Sequence, residues 1–159
     1  MKKNIFIAIL AVAGFASAVA QPRAIGVNLG YGADISYQHS LGEANMIDVS
    51  LNIPAFLGIG ATVTYDWINP FSIVIPWDYE GEWNWSLGVG GGAGTYAFLA
   101  YYVGAVGHVG ISYDFWFPLQ LSLDYRPNVG LAFAPADGGM GFNTLGLTTG
   151  LTLGVRYLF

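Results

Sequence analysis

Eight acidic, basic or histidine side chains within the predicted strands lie at even-numbered positions, and a strand would place them on one face. They are Asp34, Asp48, Asp66, His108, Asp114, Asp124, Arg126 and Arg156. Charges removed from water must be paired or hydrated, so we expect the two arginines to form ion pairs with some of the five aspartates. On this interpretation the cluster is a plug that fixes the surrounding structure.

The same cluster supports a second interpretation, because the aspartates outnumber the two arginines by three. Rings of acidic groups select cations, and glycines of the same parity would line a narrow space beside them. These glycines are Gly58, Gly60, Gly88, Gly90, Gly92 and Gly94. The alternative to a plug is therefore a narrow path that prefers cations, whose selectivity would depend on Asp48, Asp66 and Asp114.

The two histidines of the chain do not have the spacing of a catalytic or metal site. Ser40 follows His39 and would point to the opposite face of a strand, and position 110, two residues beyond His108, is a glycine. Nucleophilic catalysis needs a serine beside the histidine and a carboxylate that orients the ring. Since the chain also has no cysteine, we expect no enzymatic activity, no metal and no cofactor.

A glycine-rich tract at residues 88–94 contains the glycines of a dinucleotide-binding motif. That motif requires a helix after the glycines, whereas here the surrounding pattern alternates with a period of two. Nucleic acid is excluded as a partner by charge, because the chain has a formal charge of −5 and an isoelectric point near 4.6.

The first twenty residues have the pattern of an export signal. Lys2 and Lys3 precede an apolar segment at 5–13, and small residues at 18 and 20 precede Gln21. We therefore expect residues 1–20 to be cleaved and residues 21–159 to form a single domain. The chain has 54% apolar residues and only 9% charged residues, a composition typical of a protein that lies partly in lipid.

Apolar residues alternate with small or polar residues along the whole of that domain, which predicts β-strands. Eight strands are expected, near 24–30, 34–39, 46–53, 57–68, 83–95, 101–115, 119–133 and 143–159. The odd positions are apolar and would face lipid, and the even positions would fill the interior. Since only helices and closed barrels satisfy their backbone hydrogen bonds in lipid, the prediction is an all-β fold, an eight-stranded antiparallel up-and-down transmembrane β-barrel.

Aromatic residues on the odd face gather near one end of the predicted strands, as in the girdles of membrane barrels. They are Tyr37, Tyr65, Trp67, Trp83, Trp85, Tyr113, Phe115, Tyr157 and Phe159. Tyr31, Tyr101 and Phe133 would mark the opposite rim. If both chain ends lie in the periplasm, the group of nine aromatic residues lies at the periplasmic rim.

The final residues carry the most specific motif, in which Thr152, Gly154, Tyr157 and Phe159 have the spacing of an outer-membrane assembly signal. With the leader and the alternation, the chain resembles the small eight-stranded outer-membrane barrels of Gram-negative bacteria, the OmpA/OmpX-like porin superfamily. Segments such as Asp34–Gln38, Trp83–Trp85 and Pro118–Pro127 are similar to the branch common in Bacteroidetes. The chain ends at the predicted barrel, so we expect no periplasmic domain.

The resemblance implies an integral outer-membrane protein with its N- and C-termini in the periplasm. Its partners would be outer-membrane lipids and, during biogenesis, the barrel assembly machinery and periplasmic chaperones; the barrel itself would be a monomer. The resemblance implies no fixed activity. We expect a structural or passive small-solute permeability role, porin-like and weakly cation-preferring. The alternatives are a surface adhesin that acts through its extracellular loops and, less favoured, a lipid A-modifying enzyme.

One connection leaves two topologies open. The segment from Asn69 to Glu82 is long for a periplasmic turn. In the alternative topology, residues 24–39 form one bent strand and residues 71–78 form an additional strand, so the barrel again has eight strands. Extracellular loops are expected near 31–33, 54–56, 96–100 and 134–142.

Overall fold

The computed structural model describes residues 22–71, 80–97, 99–136, 138–144 and 146–159. The expected leader, residues 1–20, lies outside this part of the chain. The described residues form ten strands and one short helix. These are β1 (Pro22–Gly30), β2 (Gly32–Ser40), β3 (Asn45–Pro54), β4 (Gly60–Pro70), β5 (Glu82–Tyr96), β6 (Ala100–Asp114), β7 (Leu119–Tyr125), β8 (Asn128–Ala134), β9 (Gly139–Asn143), α1 (Gly146–Thr149) and β10 (Leu151–Leu158).

The ten strands build an antiparallel barrel whose wall has eight strands. Each of β1 to β5 pairs with the next strand, and β1 closes the barrel by pairing with β10. The seventh wall strand is β7 followed by β8, since both pair with β6. The eighth wall strand is β9 followed by β10. The prediction of an all-β, eight-stranded antiparallel barrel is confirmed.

The side-chain alternation agrees with the predicted faces. Among the described residues, all the buried side chains lie at even positions, from Ala24 at 0% exposure to Arg156 at 1%. Large apolar residues at odd positions are exposed, with Leu29 and Leu153 at 61% and 65%. The interior is therefore polar and the outer wall apolar, the reverse of a barrel that folds around an apolar core.

The two ends of the barrel differ in their connections. The lower end carries the connections 41–44 and 115–118, the last residue of β4, the first residue of β5 and the first and last strand ends. The upper end carries residue 31, the connection 55–59, the adjoining ends of β5 and β6 and the adjoining ends of β8 and β9. The predicted aromatic girdle lies at the lower end, where contacts such as Trp83 with Tyr113 join neighbouring strands at 5.0 Å between ring centroids.

The topology with two strands in 24–39 is the one observed, and the alternative of a single bent strand is wrong. Strands β1 and β2 run antiparallel and are joined by Tyr31 alone. The two predicted topologies also differ in whether the connection between β4 and β5 contains a strand. Residues 72–79 of that connection lie outside the described residues.

The predicted single strand over 143–159 is also wrong. Helix α1 separates β9 from β10, and the outward-facing parity changes across it. In β9 the even residues Met140 and Phe142 are exposed at 72% and 71%, whereas in β10 the odd residues face outward. Segment 134–142, expected as a loop, is largely the hairpin of β8 and β9.

Each of the last two wall strands is interrupted, and the two interruptions lie side by side in the wall. Arg126 and Pro127 separate β7 from β8, and proline has no backbone N–H to donate. The Arg126 N–H donates to the Gly150 carbonyl just after α1, at 2.8 Å. Among the described residues, no helix has the length and apolar character needed to cross a membrane.

Candidate functional site

The middle of the barrel interior holds a polar core, which we define as Asn28, Ser36, Asp66, His108, Gln120, Ser122, Asp124 and Arg156. These side chains come from β1, β2, β4, β6, β7 and β10. None of the eight residues is more than 7% exposed. Four of the predicted ionisable residues therefore meet in one buried cluster.

Arg156 is the centre of this polar core. Its guanidinium donates to Asp124 Oδ2 at 2.7 Å, to Asn28 Oδ1 at 2.9 Å and to Gln120 Oε1 at 3.2 Å. It also donates to Ser122 Oγ, at 2.5 Å. A buried guanidinium is tolerable when its donors are used in this way. Arg156 therefore ties β10 to both of its neighbours, β7 and β1. The pairing of β1 with β10 is the one that closes the barrel.

His108 lies between two carboxylates. Its Nδ1 is 2.6 Å from Asp66 Oδ1, and its Nε2 is 3.1 Å from Asp124 Oδ1. Both ring nitrogens can donate only in the imidazolium form, and this geometry suits that form. Each ring nitrogen therefore faces a carboxylate oxygen.

A second ion pair lies above the polar core. Arg126 Nη2 is 3.1 Å from Asp48 Oδ2, and its Nη1 is 3.7 Å from Asp34 Oδ1. Ser36, Gln38 and Ser50 also donate to the Asp48 carboxylate. The two arginines predicted to pair with aspartates do so, each with a different set.

Asp114 lies apart from the other predicted residues, near the lower end. Its carboxylate accepts from Gln120 Nε2 at 2.6 Å, from Asn84 Nδ2 at 3.2 Å and from Arg23 Nη2 at 3.3 Å. Arg23 is the charged partner that sequence reasoning missed, because its odd number assigns it to the outer wall. The β1–β2 register shifts between Pro22 and Ala24, and such a bulge redirects a side chain.

The charge of the interior is closer to balance than the sequence suggested. The predicted excess of three negative charges counted two arginines against five aspartates. The structure adds Arg23 on Asp114 and places His108 against two carboxylates. With an imidazolium at His108, the excess over these residues falls to one negative charge.

Two cavities flank the polar core. The upper cavity has a volume of about 120 Å³ and is lined by residues such as Asp34, Asn52, Tyr102, Arg126 and Thr152. The lower cavity has about 10 Å³ and is lined by Arg23 and Asn84, among others. The two cavities share no lining residue. The polar core therefore lies between them, and Gln120, Asp124 and Arg156 of the core line the lower cavity.

The predicted assembly-signal residues lie along β10 and at its end. Gly154 is buried inside the barrel, while Tyr157 and Phe159 are exposed on the outside, at 53% and 67%. Their rings meet at 5.5 Å between centroids. Thr152 points inward and its hydroxyl has no hydrogen-bond partner.

The described residues hold no group of three or more histidine, cysteine, aspartate or glutamate side chains arranged to bind a metal ion. Comparison of the chain with protein-family models, with curated proteins and with solved structures finds no match.

Proposed function

We propose that this protein is an integral outer-membrane β-barrel, a structural component of the envelope with both chain ends in the periplasm. The observation that carries the proposal is the inverted distribution of polarity. Apolar side chains cover the outer wall, and the charged side chains of the middle of the barrel are buried inside it. A water-soluble barrel would expose its polar face, whereas lipid requires the apolar one.

The distribution of charge on the strands supports the same proposal. Within the described strands, Arg23 is the only charged residue at an odd position, and its side chain reaches Asp114. Tyr157 and Phe159, exposed at the end of β10, are available for recognition by the barrel assembly machinery. Outer-membrane lipids would be the permanent partner of a monomeric barrel.

A cysteine-labelling experiment tests the membrane assignment, because the chain has no native cysteine. Leu87→Cys and Leu153→Cys lie on the outer wall, and Glu43→Cys lies in the 41–44 connection. In reconstituted vesicles, a membrane-impermeant maleimide should label Glu43→Cys, in molecules whose lower end faces outward, and spare both wall variants. Equal labelling of all three would contradict the proposal. Fractionation of a Gram-negative host tests which membrane holds the protein.

The buried and densely hydrogen-bonded polar core favours a structural role over passive permeability. Single-channel recordings of the folded protein in a planar bilayer decide between them, and we expect no current steps. Reproducible cation-preferring steps would instead make the protein a small porin. In that case the triple variant Asp48→Asn, Asp66→Asn and Asp114→Asn should lose the cation preference.

A second candidate, a surface adhesin or interaction barrel, is favoured by the apolar upper rim. Phe56, Leu57 and Leu99 lie in its connections and are 65%, 63% and 72% exposed. Clustered exposed apolar residues mark interaction sites. Replacing all three with serine should abolish binding of cells to surfaces or matrix if this candidate is right, and should leave binding unchanged if it is wrong.

A further inference from the structure

Strand β9 is the one strand of the described chain that has a single neighbour. It pairs with β8 through all five of its residues, whereas every other described strand pairs with at least two strands. The next strand around the wall is β1, but β1 ends at Gly30, whose partner in β10 is Thr152. Alternate residues of an antiparallel strand direct their N–H and C=O groups to opposite sides. One row of β9 backbone groups therefore lies at an open edge.

The hairpin of β8 and β9 has one face of large apolar side chains and one face of small residues. Leu131 lies opposite Phe142, and Phe133 lies opposite Met140, so these four side chains share a face. Leu131 and Phe133 are 44% and 41% exposed, and the two β9 residues are more exposed still. The other face carries the small residues Ala132, Ala134, Gly139 and Gly141.

Strand β9 lacks the features that protect an open edge in most proteins. Native edge strands are usually blunted by a charged residue, a proline or a bulge. The five residues Gly139–Asn143 include no charge and no proline, and their register with β8 runs without a shift. An uncharged open edge beside an exposed apolar face favours pairing with another strand.

The sequence of β9 is complementary to itself when two copies run antiparallel. The register that pairs all five residues is centred on Gly141, which then lies opposite Gly141 of the second copy. Met140 lies opposite Phe142 of the second copy, and a thioether packs well against an aromatic ring. Each apolar row of one hairpin continues into the other, from Leu131 and Phe142 to Met140 and Phe133 of the second copy. A two-fold axis relates the copies, as in most homodimers.

We propose that β9 binds a second copy of this chain by forming an antiparallel ladder between the two β9 strands. The two-fold axis of such a ladder is perpendicular to the sheet and therefore to the barrel wall. It inverts one barrel relative to the other, so the two upper ends meet head to head and the copies lie in two facing membranes. The head-to-head arrangement rests on the proposed membrane placement, whereas the β9 ladder does not.

Cysteine cross-linking of the folded protein in detergent tests the ladder, because the chain has no native cysteine. Gly141→Cys places two thiols opposite each other, where the Cα atoms are about 4.5–5.5 Å apart, a distance that a disulfide spans. Gly139→Cys is the matched control, since its thiols would be four residues apart along the strands, or about 13 Å. A Cβ at either position meets nothing within 4 Å, so both variants should fold. Under mild oxidation, Gly141→Cys should form the linked dimer at least about tenfold faster than Gly139→Cys.

A second pair of variants tests which surface carries the contact. In the Gly141→Cys background, Phe142→Lys should slow cross-linking by about tenfold, because a lysine on an edge strand disfavours pairing. Leu57→Lys places the same charge on the 55–59 connection of the upper rim, where Leu57 is 63% exposed, and the rate should not change. Equal rates for Gly141→Cys and Gly139→Cys, no cross-linking in either, or an unchanged rate with Phe142→Lys would overturn the proposal.

Phosphatidylcholine vesicles that carry the protein test the head-to-head arrangement. Vesicles with the natural protein or with Leu57→Lys should cluster, as measured by turbidity, and vesicles with Phe142→Lys should stay dispersed. That pattern supports the whole proposal. Position-specific cross-linking in detergent without clustering of vesicles would support the β9 ladder and would contradict the membrane placement on which the head-to-head arrangement rests.

Discussion

Glycines have different surroundings in the middle of the barrel and in its upper hairpin. In the middle, a Cβ at Gly88 would lie 1.7 Å from Asp66 Oδ1, and one at Gly110 would lie 2.5 Å from Asp124 Oδ1. In the hairpin of β8 and β9, a Cβ at Gly139 or Gly141 would have no neighbour within 4 Å. The middle of the barrel therefore uses glycine to make room for buried charge, and the hairpin does not.

This difference shows how an eight-stranded barrel holds a buried ion network. The interior of such a barrel is just wide enough for side chains to fill, so each large polar group needs a small neighbour. Gly154 fulfils that need for Arg156, since a Cβ there would lie 2.3 Å from Asn28 Oδ1 and 2.4 Å from Ser122 Oγ. The buried charged side chains therefore fit inside the barrel because glycines lie beside them.

The largest expected effect follows from removing the charge at the centre of the polar core. Arg156→Met leaves Asp124 buried without its guanidinium, and such a loss costs about 3–5 kcal/mol. Urea unfolding in detergent micelles measures the change. The double variant Arg156→Met with Asp124→Asn should recover part of the stability, because it removes the uncompensated charge. A single variant as stable as the natural protein would show that Arg156 does not hold the core together.

A smaller effect is expected from filling a glycine site in the core. The added methyl group of Gly88→Ala meets the Asp66 carboxylate, so Asp66 must shift away from His108. Overpacking of this kind costs about 1–3 kcal/mol. Gly141→Ala is the matched control, because nothing lies near its Cβ, and its stability should change by no more than about 0.5 kcal/mol. Equal losses in the two variants would break the distinction between core and hairpin.

Much of this architecture follows from the alternation of residue types. A period of two predicts which residues face inward, and so it groups Asp48, Asp66, Asp124 and Arg156 before any coordinates are known. It could also have identified Asn28, Ser36 and Gln120, which share that parity. Individual ion pairs are not predictable in this way, because they depend on the register between strands.

The failures occur where the period of two is interrupted. The apparent alternation of 143–159 continues through α1, since four residues are too few to reveal a helical period. Gly146 lets α1 approach β8, because a Cβ there would lie 2.5 Å from the Asn128 Cβ. The bulge at Arg23 adds one residue and reverses the parity, and no residue type in that segment signals it.

The smallest expected effect concerns the ion pair between Arg23 and Asp114, which the sequence does not reveal. Arg23 and Asp114 are 21% and 18% exposed, and water screens their attraction. Arg23→Gln also leaves the hydrogen bonds of Asp114 with Asn84 and Gln120 in place. We expect a loss of at most about 1 kcal/mol, measured by the same urea unfolding and at two salt concentrations. A loss as large as that of Arg156→Met would mean that burial does not rank these ion pairs, and that the lower rim contributes as much to stability as the polar core.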